Sequence, residues 1–167
     1  MTQADWIITA RDGLLLAVVG SAYVMALLRL NPRLFLKHFP PEIRAAAPPT
    51  TRGERRLGRV AGLPLGLLLV GWPIWSSLQL AARHPDAGPL ALGLNAVAVF
   101  MAFNLVDFVV LDLFWIGWLK PSWAMIPGTE EVVFKPHWRY DLMGFGIGAV
   151  VAVVIGVLAI GAARWLA

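Results

Sequence analysis

The sequence predicts an all-α membrane protein: a four-transmembrane-helix bundle with a cytoplasmic surface loop or short hairpin between spans 3 and 4. Three observations predict it. Hydrophobic residues make up 59% of the chain and charged residues 14%, against about 45–50% and about 25% in soluble domains. Water cannot be the solvent for most of such a surface. Four apolar runs also approach the roughly 20 residues that a crossing needs. These runs are continuous rather than alternating, which favours helices over barrel strands, and a helix satisfies its own backbone groups in lipid. The 167 residues are read as one integral membrane domain.

The first span is expected over about 13–30, extendable outward through Trp6, Ile7 and Ile8. Asp5 and Asp12 stand where a cleavable signal would carry basic residues, and no small-residue cleavage site follows Leu30. Asn31 can cap a helix that has Pro32 at its first position. Leu34, Phe35, Leu36 and Phe39 then give that segment an apolar side, and Arg33, Lys37 and His38 a polar one, as in an interfacial helix. Arg52, Arg55, Arg56 and Arg59 follow and are expected to contact anionic lipid headgroups. An acidic protein surface is the alternative partner.

The second span is expected over about 60–82, with Pro64 and Pro73 as kink sites. The third is expected over about 89–119, long enough to tilt or to project beyond the bilayer. The fourth is expected over about 142–166. It carries Gly144, Gly148, Ala152 and Gly156 at intervals of four, a small-residue face that lets another backbone approach. Packing within the bundle and a homodimer seam both use such a face. Gly62 and Gly66 repeat the motif in the second span.

Charge sets the expected orientation. Of fourteen Lys and Arg, eight lie from Arg29 to Arg59, and Lys120, Lys135 and Arg139 lie in the third connection. The positive-inside rule then puts loops 31–59 and 120–141 in the cytoplasm and both termini outside a plasma (inner) membrane. Trp6 and Trp165 mark one interface; Trp115, Trp118, Trp123 and Trp138 mark the other. The net charge of +4 is therefore a topology signal, and nucleic acid is not expected as a partner. With no cysteine, disulfides, thiolate catalysis and iron–sulfur clusters are excluded. His38, His84 and His137 lie outside the spans, leaving no ligands for a haem buried mid-bundle.

Asp107 and Asp112, with Asn104, are the candidate ion- or ligand-binding residues. A carboxylate inside a span is costly unless it is protonated, paired or bound to a cation. Asn104 and Asp107 are three apart and share a helix face. In α-helical geometry Asp112 lies about 140° round from Asp107, so the two are expected to point apart. Depth separates them as well, Asp112 roughly 10 Å and Asp107 roughly 20 Å from the Lys120 end. Arg29 and Arg59 are the basic residues nearest Asp112 in depth; Asn104, Ser21 and Tyr23 are the expected neighbours of Asp107. The competing structural readings are a salt bridge for Asp112 and a protonated, hydrogen-bonded carboxyl for Asp107.

The third connection holds a turn signal at Pro127-Gly128, flanked by the apolar runs Trp123 to Ile126 and Val132 to Phe134. Glu130, Glu131, His137 and Asp141 are there, and with Asp112 they form a candidate metal set of oxygen and nitrogen donors. A divalent metal is the cofactor such a set would take; a solvated loop is the plainer reading. The run Lys120-Pro121, Trp123 and Pro127-Gly128-Thr129-Glu130, after an Asp-bearing span, resembles a family of small bacterial multi-spanning proteins of unassigned function. That family has a Pro-Gly-Thr-Glu cytoplasmic loop before its last span. The resemblance covers about residues 104–145 and implies a bacterial plasma membrane. Lys135-Pro136-His137 departs from its pattern, in which aspartate, tyrosine or glycine precedes the later His.

Three functions fit these residues. The leading one is a transporter-like protein or accessory subunit that binds an ion, small solute or partner through the acidic residues of span 3. The second is a metal-dependent intramembrane enzyme acting on a lipid or isoprenoid at the cytoplasmic interface. The third is a structural or assembly protein. A homodimer or larger membrane complex, with lipid around it, is the expected setting.

Overall fold

A computed structural model describes residues 2–129, 132 and 137–166. Four of its helices are long and apolar enough to cross a membrane, and no strand occurs among the described residues. The chain runs through α1 (Gln3–Leu30), a 3-10 helix (Pro32–His38), α2 (Pro41–Ala46), α3 (Arg52–Arg83) and α4 (Pro89–Val106). The third span then continues without a break as a π-helix over Asp107–Leu119. A 3-10 turn (Ser122–Ala124) and α5 (Trp138–Leu166) complete it.

Two of the spanning helices start well before their apolar runs, and capping boxes explain why. Thr2 Oγ1 accepts the Asp5 N–H at 3.3 Å while the Asp5 carboxylate accepts the Thr2 N–H at 2.7 Å. Thr51 and Glu54 repeat the exchange at the head of α3, at 3.1 and 2.7 Å. Each box satisfies donors that a helix start leaves open, so polar turns outside the apolar stretch are helical too. Asn31 both ends α1 and caps the next element: its side chain accepts the Arg33 N–H at 2.9 Å. With Pro32 first, that element is 3-10 rather than α-helical.

α4 is the hub, packing against α1, α3 and α5. Leu16 and Ala17 of α1 meet Val99 and Phe103 of α4. Ala96 and Phe100 meet Ala152, Ile155 and Ala159 of α5. At the end near the termini, Leu80 of α3, Leu92 of α4 and Ala163 of α5 close the bundle. Small residues set these distances. A methyl group at Gly156 would stand 2.9 Å from Val97 and 3.0 Å from the Gly93 carbonyl. At Gly148 it would collide with the Asn104 side chain. Gly62, Gly66 and Gly144 have nothing within 4 Å of where a Cβ would sit.

At the other end, Leu28 of α1, Phe39, Ile43 of α2 and Ile126 pack together, with Phe35 and Trp123 beside them. The 3-10 segment, α2 and the start of the third connection, through Trp123 and Ile126, thus cover the basic end of the bundle. The turn at Pro127-Gly128 forms, with Gly128 at φ 85°. Its flank is a loop and not a hairpin strand: Ile126 is buried, and its carbonyl accepts both the N–H and the hydroxyl of Thr129. Residues 133–134 of the proposed second strand lie outside the described residues.

Candidate functional site

A cavity of about 430 Å³ lies in the basic half of the bundle, between all four spans and the 3-10 segment. Asn104, Asp107, Asp112, Tyr140, Asp141 and His38 contribute its polar groups. Its walls are apolar, from Val24 and Leu28 of α1, Leu65 and Leu69 of α3, and Phe103, Phe108 and Phe145 of the third and fourth spans. Among the described residues no Lys or Arg lines it.

Asp107 and Asp112 face this one cavity, which corrects the expectation that they point apart. The expectation assumed α-helical rotation. The segment is instead π-helical from Asp107 to Leu119, and hydrogen bonds in a π-helix join residues five apart. Residues five apart there are neighbours along one side, as residues four apart are in an α-helix. The far end shows the same ladder: the Lys120 N–H donates to the Trp115 carbonyl at 2.9 Å, with Lys120 left-handed at φ 45°. π-helix occurs mostly as single turns, frequently at functional sites, so a run of this length on the carboxylate-bearing span marks the segment.

None of the expected partners of the two aspartates bonds to them. The Arg29 guanidinium lies over the Trp123 ring, 5.8 Å from its centroid, and Arg59 is exposed on α3. The Tyr23 hydroxyl donates to the Ala61 carbonyl at 2.9 Å, beside Pro64, where the missing N–H and the ring loosen the helix. Ser21 Oγ is buried with no hydrogen-bond partner. Neither Asp107 nor Asp112 has a hydrogen bond or ion pair with a described residue. Asn104 is 8% exposed. It donates through Nδ2 to the Phe145 carbonyl at 3.0 Å, filling the notch that Gly148 leaves. Its Oδ1 accepts nothing from a described residue.

The metal set is divided. Asp112 and Asp141 line the cavity, whereas His137 Nε2 is 3.9 Å from Glu42. Glu130 and Glu131 lie outside the described residues. Among the described residues no three His, Asp or Glu side chains are grouped as metal ligands. His38 sits at the cavity's rim, where burial and then neighbouring Lys37 hold its imidazole below the usual histidine range. Of the four arginines assigned to headgroups, Arg52, Arg56 and Arg59 are exposed with no hydrogen bond or ion pair to a described residue, and Arg55 donates to the Thr50 carbonyl at 2.5 Å.

The end near the termini holds a polar cluster that the sequence reading missed. Thr9 Oγ1 and Asn95 Oδ1 are 2.6 Å apart. Asn95 Nδ2 donates to Ser76 at 3.1 Å and to Ser77 at 3.0 Å. Ser76 donates to the buried Asp12 at 2.8 Å, which also pairs with Arg11 at 2.8 Å. Asp5 pairs with His84 at 2.9 Å. The signal was present: Asp5, Thr9 and Asp12 are spaced four and three apart on one helix face, and Asn95 and the Ser76-Ser77 pair interrupt apolar runs. Unlike the cavity carboxylates, these groups satisfy one another and clamp α1, α3 and α4.

No protein-family model, curated protein or solved structure matches the chain.

Proposed function

We propose that this is a multi-pass plasma-membrane protein of the transporter-like or accessory kind, which binds a cation in the cavity of its basic half. One observation carries the reading: Asp107, Asp112 and Asp141 line a single cavity to which no described Lys or Arg contributes. Carboxylates inside a bundle are costly unless neutralised, and among the described residues no Lys or Arg pairs with Asp107 or Asp112. A bound cation would supply the missing partner, and the cavity is large enough for a small molecule. The basic loops support an orientation with 31–59 and 120–141 in the cytoplasm and both termini outside, so the cavity would lie on the cytoplasmic side. A metal-dependent reaction would want several ligands grouped around Asp112 and Asp141; His137 is turned toward Glu42 instead, and no three ligating side chains are grouped among the described residues.

The test is equilibrium binding of radiolabelled methylammonium to the full chain in nanodiscs. Saturable binding is expected, weakened at least about tenfold, or about 1.4 kcal/mol, in the Asp107→Asn/Asp112→Asn double variant. Asp86→Asn, a change in the connection between α3 and α4, serves as the control and should bind as the unmodified chain does. Absent binding, or binding indifferent to the double substitution in a folded sample, would refute the reading.

A further inference from the structure

The walls of the cavity say more about its occupant than the carboxylates do. The carboxylates of Asp107, Asp112 and Asp141 line the cavity as acceptors with no hydrogen bond to a described residue, alongside Tyr140 and His38, which can also donate. Acceptors of this kind call for a ligand that brings N–H donors together with positive charge. Phe103, Phe108 and Phe145 line the same space, and aromatic faces attract an ammonium further. Most of the remaining wall is apolar, from residues such as Leu28, Phe39, Leu65 and Ile116, so a hydrated inorganic ion would leave much of the cavity without a partner.

The cavity also reaches the flank of the bundle. Met143 and Ile147 line it and are still 56% and 58% exposed. Leu65 and Leu69 line the facing side from α3, on the stripe that bears Gly62 and Gly66. Both glycines, and Gly144 on α5, have open space where a side chain would be. α3 and α5 therefore meet near the termini, through Leu80 and Ala163, and part in the basic half, at the depth of the carboxylates. In a membrane the surface that Met143 and Ile147 present faces lipid tails.

We infer that the cavity accepts an amphiphilic cation, a protonated amine on a long apolar chain, admitted sideways from the bilayer between α3 and α5. This rests on the cation-binding reading above and narrows its substrate class. The ammonium is held by Asp107 and Asp112, and the chain leaves past Leu65, Met143 and Ile147. The occupant keeps its apolar chain in lipid throughout and sheds little more than the water around its head group.

The experiment uses the full chain in nanodiscs of zwitterionic lipid. The probe is dodecylamine carrying a photoreactive diazirine in its chain, and the control is the same chain ending in a carboxylate. Labelled residues are mapped by peptide mass spectrometry. The amine should label the Leu65–Leu69 and Met143–Ile147 stretches, and the Asp107→Asn/Asp112→Asn variant should reduce that labelling at least about tenfold. Gly66→Phe, which fills the gap without touching a carboxylate, should suppress labelling and leave methylammonium binding intact. Equal labelling by the carboxylate chain, or labelling unchanged by Gly66→Phe, overturns the inference. Aspartate-dependent methylammonium binding without amine labelling overturns it while the cation site stands. Loss of both overturns both.

Discussion

Gly148 and Gly66 look alike in the sequence, each an apolar-span glycine four residues from another, yet their surroundings separate them. At Gly148 the missing side chain is what lets Asn104 reach the Phe145 carbonyl. An alanine there must displace the amide or push α4 from α5, and overpacking of a close contact costs about 1–3 kcal/mol. At Gly66 a methyl group meets nothing within 4 Å, and alanine gains up to about 1 kcal/mol of helix propensity over glycine. Unfolding titrations in mixed micelles should therefore show Gly148→Ala destabilised and Gly66→Ala unchanged or stabilised. Equal effects at the two sites would show that the notch does not hold Asn104. The small-residue stripe of α5 is thus used unevenly: Gly148 and Gly156 approach α4, while Gly144 opens onto the cavity.

The π-helix is the element on which the site depends, and it makes a prediction opposite to that of an α-helix. On an α-helix residues 107 and 110 share a side and residues 107 and 112 do not. With hydrogen bonds to the fifth residue the preference reverses. The chain has no cysteine of its own, so an Asp107→Cys/Asp112→Cys pair and an Asp107→Cys/Val110→Cys pair can be compared directly for Cd²⁺ binding. The first pair should bind the ion more tightly, at least about tenfold; tighter binding by the second would mean that the segment is α-helical. The four spans were legible because hydrophobicity and length alone report a crossing, and Asp107, Asp112 and Asn104 stood out as polar groups within one. Their convergence was not legible. Asp107–Leu119 is as apolar as the α-helical residues before it, and periodicity does not distinguish an i→i+5 ladder. The Asp12, Ser76 and Asn95 cluster was hidden for another reason: its members come from three spans, and each alone reads as a tolerated polar residue.

The whole molecule is asymmetric along its long axis. Near the termini, α3, α4 and α5 close on Leu80, Leu92 and Ala163, and the Asp12–Ser76–Asn95–Thr9 cluster ties α1 to α3 and α4. Toward the basic loops the spans enclose a cavity, capped by the packing of Leu28, Phe39, Ile43 and Ile126. If positive-inside governs the chain, the hollow half faces the cytoplasm and the clamped half faces out. Single cysteines test this without background, since none is native. Gln3→Cys and Asp86→Cys, both exposed at the terminal end, should react with a membrane-impermeant maleimide in intact cells. Ala45→Cys, exposed on α2 at the basic end, should react only after permeabilisation. The reverse pattern would invert the molecule. The cavity and its side opening would then draw on the outer leaflet, and an amphiphilic cation would reach Asp107 and Asp112 from outside the cell. The same labelling thus decides both the topology and the leaflet from which the site can be filled.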